Sequence, residues 1–191
     1  MADHTPDSEQ LLLDVLQSLR ERGAIGESSL IGAVAHAAAF VGAIPPTVDT
    51  LLDLGSGGGL PGLVIAVRLP HLSVTLTDRR ERRMDLLVRA CARLGISDRA
   101  TVLTGDVRAL AKRSELDQQF DVVTARAFGA PEFTLACARP FLRFGGILIV
   151  SDPPPSADVD PRARWVAAGM DRHGFEFSGP SLPQMQVLIK R

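Results

Sequence analysis

Tyrosine is absent from the chain, tryptophan occurs once and cysteine twice among 191 residues. Without tyrosine there can be no catalytic Tyr-Lys pair of a nicotinamide oxidoreductase. Cys91 and Cys137 stand in separate helix-like stretches, with no CxxC or Cys/His spacing. That argues against a disulfide framework or a zinc site and predicts a reducing, cytoplasmic compartment. His4, His36, His71 and His173 have no metal-ligand spacing, so no metal is expected. No apolar run reaches the ~18 residues of a membrane span. The first residues, MADHTPDSEQ, lack the basic and apolar regions of a signal peptide. No glycine loop ends in GK[ST], which excludes a P-loop. A GxSxG elbow would need glycine where Leu54 stands. Neither sign of charge dominates: the net charge is −1, so any basic surface must be local. Composition is that of one ordinary globular unit, 46% hydrophobic and 23% charged, long enough to bury a core; a monomer is expected.

What is present is alternation. Residues 1–6 read as a frayed end. Asp7 and Gln10 suggest a capping box, and Leu11, Leu12, Val15, Leu16 and Leu19 form one helical face ended by Gly23. Residues 27–43 read as a second helix, and Pro45-Pro46 breaks the chain. Residues 1–46 are thus a helical extension, and 47–191 the main domain. Strand-length runs follow at Thr50–Leu54, Val74–Thr77, Ala100–Leu103, Phe120–Thr124 and Ile147–Val150. Helical stretches lie between them at Gly62–Leu69, Arg80–Leu94, Val107–Arg113 and Pro131–Leu142. Apolar strands alternating with helices predict a parallel, doubly wound α/β sheet covered on both faces. A proline-rich loop (SDPPPSADVDP), a helix near Arg162–His173 and closing strands at Phe175–Phe177 and Val187–Lys190 complete the pattern.

Residues 51–62, LLDLGSGGGLPG, leave the first strand of the alternating unit. Five of the nine residues after Asp53 are glycine. Each glycine in ordered structure costs roughly 0.5–1 kcal/mol against alanine, so the backbone there must need to be bare. Gly57-x-Gly59-x-x-Gly62 fits the dinucleotide fingerprint. Asp53-x-Gly55-x-Gly57-x-Gly59 fits the nucleoside loop of S-adenosylmethionine enzymes. The second reading explains Asp53, whose carboxylate would repel a pyrophosphate and attract a sulfonium amino acid. Asp78, at the end of the second strand, can hydrogen-bond both ribose hydroxyls. Asp106, after the third, suits either an adenine edge or a helix N-cap. Asp152-Pro153-Pro154-Pro155 approaches the [DN]PP[YF] signature of amino methyltransferases, but it follows the fifth strand and lacks the aromatic, so it reads as a loop.

Four segments together, DLGSGGGLPG, LPHLSVTLTDRRERRMDLL, FDVVTARAF and PFLRFGGILIV, resemble the GidB family of bacterial methyltransferases that act on guanine N7 in small-subunit (16S) ribosomal RNA. Pro61-Gly62, the Ala125-Arg126-Ala127 step, the upstream GAIG of Gly23–Gly26, His36 and the closing VLIKR all fall at family positions. The resemblance implies a class I, Rossmann-like fold with a seven-stranded, mostly parallel sheet. It implies S-adenosylmethionine as cofactor, S-adenosylhomocysteine as product, and ribosomal RNA or the small ribosomal subunit as partner. Cofactor contacts are expected from Asp53, Gly55, Ser56, Gly57, Gly59, Leu60, Pro61, Asp78, Arg79, Asp106, Val107 and Arg126. Arg126 is also the expected catalytic group, since arginine can bond O6 and N7 of guanine together. Phe128 is the nearest aromatic for stacking a flipped base. The arginines of segment 79–99 suit RNA phosphate, or else a solvated face paired with Glu81 and Asp85. Some family features are replaced: Ala35 and Ala37-Ala38-Ala39 flank His36, Ser151-Asp152-Pro153 stands where a lysine is usual, and Gly105-Asp106-Val107-Arg108 replaces a Gly-Arg-x-Glu step. Those changes leave open a small-molecule or protein acceptor, or a cofactor-binding protein without transfer.

Overall fold

A computed structural model describes residues 6–26, 29–153, 160–179, 182 and 184–191. The frayed end, up to residue 5, and most of the proline-rich loop lie outside them. Seven strands form one sheet: β1 (Thr50–Leu54), β2 (Ser73–Asp78), β3 (Ala100–Thr104), β4 (Phe120–Ala125), β5 (Leu142–Ser151), β6 (Phe175–Phe177) and β7 (Met185–Lys190). Their order is β3-β2-β1-β4-β5-β7-β6. The pairs from β3 through to β5 are parallel, and β7 runs antiparallel to both neighbours. The chain winds outward from β1 to β3, then returns to place β4 on the other side of β1. That reversal opens a crevice at the carboxyl ends of β1 and β4.

Alternate strand residues feed two apolar layers, because successive side chains point to opposite faces. Leu51, Val74, Leu76, Val122 and Ile149 pack beneath helices α1 (Pro6–Glu21), α2 (Leu30–Ala43), α3 (Gly62–Arg68) and α4 (Glu81–Arg93). Leu52, Leu54, Val123, Leu148 and Leu188 pack under α5 (Val107–Leu110), α6 (Pro131–Ala138) and α7 (Ala163–Ala167). Burying each such leucine contributes about 1.5–3 kcal/mol. Leu12, Val15, Leu16 and Phe40 of α1 and α2 share the first layer with Leu63 and Val64 of α3. Among the described residues no helix is long and apolar enough to cross a membrane.

Local chemistry accounts for several differences from the expected elements. Helix α1 already includes Asp7 in its first turn, so Asp7 is no N-cap, and Gln10 instead bonds Asp14 at 2.9 Å. The second helix begins at Leu30 with Ser29 as its cap, accepting from Gly32 N at 3.3 Å. Helix α6 stops at Ala138, two residues before Pro140, which has no N–H to continue it. Leu142 then enters β5, whose register against β4 shifts between the Phe120 and Val122 pairs. Helix α5 ends after Leu110 and is followed by a 3-10 turn at Ser114–Leu116. Gly169, at φ 70°, stops the expected helix 162–173 soon after Ala167.

Candidate active site

A cavity of about 590 Å³ lies at the carboxyl ends of β1 to β4. The glycine loop forms its floor, with Asp78, Arg79, Arg80 and Arg83 on one side and Arg126, Ala127, Phe128 and Phe133 on the other. Gly105, Asp106 and Val107 close one end, and Ala24, Ile25 and Gly26 form a roof.

The loop is bare for two different reasons. Gly55 adopts φ 66°, and a Cβ there would stand 2.7 Å from Phe128 Cδ2. At Gly58 the constraint is contact from above: a Cβ would sit 2.4 Å from Ile25 Cγ1 and 2.7 Å from the Ala24 carbonyl oxygen. The α1–α2 connector therefore rests directly on the loop. Sequence reasoning assigned no role to Gly58, and GAIG was the only trace of that roof. A backbone bond and a side-chain bond fasten the loop to β2: Ser56 N donates to Thr77 O at 2.7 Å, and Ser56 Oγ accepts from Thr77 N at 3.0 Å.

Asp53 is displaced from its expected place. It is 0% exposed and does not line the cavity. One carboxylate oxygen accepts from Thr124 Oγ1 at 2.7 Å, the other from Gly62 N at 3.2 Å. Burial pushes its pKa up to about 6, against the opposing hydrogen bonds and the nearby Arg126 charge. Asp53 thus holds the start of α3 from behind the wall. Gly59 and Pro61 are also buried behind it; a Cβ on Gly59 would strike Leu63 at 2.5 Å. The other expected contacts, Gly55, Ser56, Gly57, Leu60, Asp78, Arg79, Asp106, Val107 and Arg126, all reach the cavity.

Asp78 accepts from Gly57 N at 3.1 Å and Arg80 N at 2.9 Å, one bond to each oxygen. Lone pairs remain on both oxygens for hydroxyl donors. Asp106 caps α5 through Arg108 N at 2.9 Å and also lines the cavity. The Arg108 side chain and backbone hold its carboxyl below the usual carboxylate range.

Arg126 is half-buried, and no ion pair involves it among the described residues. Burial lowers its pKa, and Asp53 opposes that shift. Next to it lies His36, whose Nδ1 is buried without a hydrogen-bond partner. Burial, then the Arg126 charge, lower the His36 pKa against a hydrogen bond to the Gln184 backbone. Phe128 and Phe133 stack at 5.6 Å between centroids, 18° from parallel, with Phe133 41% exposed. Asp152, read as a loop residue, is buried there and anchors the loop. It accepts from Trp165 Nε1 at 2.9 Å and Gln186 Nε2 at 2.8 Å. Nothing in its sequence surroundings signals those partners.

A family model for GidB, rRNA small subunit methyltransferase G, matches residues 16–151. The chain belongs to the GidB family. The GidB match runs from within α1 to the end of β5 and takes in every cavity-lining residue named above. The ribosomal RNA small subunit methyltransferase G of Sorangium cellulosum is 35% identical over 125 residues, 65% of this chain and 51% of that protein. The protein of the same name from Nocardioides sp. is 40% identical over 104 residues, 54% of this chain and 40% of that one. The chain spans about half the length of the curated relatives it matches. Among solved structures, the O-methyltransferase from Bacillus cereus in complex with SAH covers 95% of this chain and 91% of its own, with TM-score 0.68 and 16% identity. The GidB chain therefore has the class I, Rossmann-like methyltransferase fold.

Proposed function

We propose that the chain is an S-adenosylmethionine-dependent methyltransferase acting on guanine N7 of small-subunit ribosomal RNA. One observation carries the cofactor assignment. In a dinucleotide fold the pyrophosphate sits on the first N–H groups of the helix after the glycine loop. Here that N–H, on Gly62, is bound by the Asp53 carboxylate. The phosphate seat is occupied by a negative group, while the ribose acid and a cavity of about 590 Å³ remain open. That volume lies within the ~300–1,000 Å³ usual for such ligands.

The residues divide the work. Asp78 takes the ribose hydroxyls, and Asp106 with Val107 borders the adenine. The glycine loop approaches the nucleoside closely, and Ile25 roofs it. S-adenosylmethionine supplies an electrophilic methyl group: a bond forms to the N7 lone pair, the S–CH₃ bond breaks and its electron pair stays on sulfur. N7 carries no proton, so no general base is needed. Arg126 acts as an orienting cation: its guanidinium donates to O6 and holds the ring plane, leaving the N7 lone pair free to meet the methyl group. The exposed Phe133–Phe128 stack offers the base an aromatic face.

Calorimetry tests the cofactor: S-adenosylhomocysteine binds and NAD does not. The reverse result overturns the assignment. Arg126→Ala lowers methyl transfer by at least ~100-fold, as loss of an orienting group does, while S-adenosylhomocysteine affinity changes by less than tenfold. Unchanged turnover removes Arg126 from the mechanism.

A further inference from the structure

Segment 79–99 carries seven of the chain's 21 basic residues and three of its 22 acids, although the whole chain has a net charge of −1. All seven are arginine. Two sets can be distinguished in space. Arg79, Arg80 and Arg83 line the cavity beside Asp78. Arg82, Arg89 and Arg93 are exposed on α4. Their spacing is i, i+7 and i+11, which places them within about 40° of one another around the helix and over about 17 Å along it. They face away from the buried stripe of Met84, Leu87, Ala90 and Cys91.

The simplest alternative for such a face is mutual neutralisation by Glu81 and Asp85. Neither acid forms an ion pair with these arginines among the described residues, and none of the six arginines is in any ion pair there. Several arginines elsewhere are paired: Arg68 with Glu9, Arg113 with Glu115 and Arg143 with Asp121. The six arginines of α4 and of the cavity mouth at its start thus form one unpaired group among the described residues.

We propose that the α4 face bearing Arg82, Arg89 and Arg93 docks the phosphate backbone of the RNA substrate and continues through Arg79, Arg80 and Arg83 into the cavity. The proposal rests on the RNA-methylating function above. Guanidinium groups bond phosphate oxygens in pairs, which favours arginine over lysine where a strand must be held in one track. A strip about 17 Å long meets several phosphates of one strand, which in a duplex recur about every 3.4 Å of axis. A chain near neutrality overall is steered by this one face, so the strip also sets the side from which RNA approaches.

The test uses the full chain and protein-free small-subunit ribosomal RNA, with binding measured across a range of salt concentrations. Arg82→Gln, Arg89→Gln and Arg93→Gln combined weaken RNA binding at least tenfold. They also reduce the slope of log affinity against log salt by about 2–3. The corresponding triple Arg→Lys variant retains the slope. Calorimetry with S-adenosylhomocysteine gives wild-type affinity for both variants, which shows that they are folded. Unchanged RNA affinity and slope in the Gln variant overturn the docking strip. So does a defect confined to whole ribosomal subunits, which would mark a protein contact instead. If the wild-type chain itself shows no salt-dependent binding to ribosomal RNA, the RNA substrate reading fails and the strip falls with it.

Discussion

Asp53 concentrates the physical tension of the site in one carboxylate. Its burial costs more than its two hydrogen bonds return, so its pKa rises from 3.8 to about 6. In the unfolded chain the group ionises near 3.8, and in the folded chain only near 6. Between those values the native state binds more protons than the unfolded state, so stability falls as pH rises. The full effect is about 3 kcal/mol. Asp53→Asn removes this dependence. Urea unfolding at pH 4 and pH 7 checks it: relative to wild type, the variant gains about 2 kcal/mol over that interval. A constant difference contradicts the assignment. Asp152 is the opposite case, a carboxylate that satisfies buried donors. Asp152→Ala strands Trp165 Nε1 and costs about 1–3 kcal/mol in the same assay. The two acids were not equally legible in sequence. Asp53 stood in a loop whose glycines announced a ligand, whereas Asp152 sat among prolines with its partners 13 and 34 residues away.

The glycine loop and its roof act as one element. Gly58 touches the α1–α2 connector, and Gly42, within α2, has no neighbour that an added Cβ would meet. Opposite outcomes follow for the same substitution. Gly58→Ala forces the connector off the loop and destabilises by about 1–3 kcal/mol. Gly42→Ala relieves a helical glycine and stabilises by up to about 1 kcal/mol. Thermal unfolding of both variants settles the comparison, and a neutral Gly58→Ala would show that the roof is not seated on the loop. Elements built from continuous apolar runs were readable directly: β1 and β6 lie where their residues predict. Elements ended by tertiary contact were not. The residues after Pro140 joined β5 because Leu142 could pair with Phe120, a partner distant in sequence. The roof was unreadable for the same reason: close approach of Ala24 and Ile25 to Gly58 leaves no periodic pattern.

At the scale of the whole molecule, the switch in strand order between β1 and β4 determines what can be done chemically. It brings Asp78 from β2, Asp106 from the end of β3 and Arg126 from the end of β4 around one cavity. Strand alternation made that arrangement legible, because the loops after parallel strands must share one edge. Orientation was not legible: whether a strand-end acid points into the crevice or back into the fold depends on partners such as Thr124 and Gly62. The fold supports many chemistries, so the activity rests on the site rather than on the sheet. The most direct measurement is methyl transfer from labelled S-adenosylmethionine to small ribosomal subunits lacking base methylation, with the labelled position mapped by cleavage at 7-methylguanine. The account predicts label in the small-subunit RNA at a single guanine N7, lost on Arg126→Ala. Label only in ribosomal protein or small metabolites, or no transfer by a chain that binds the cofactor, would contradict it.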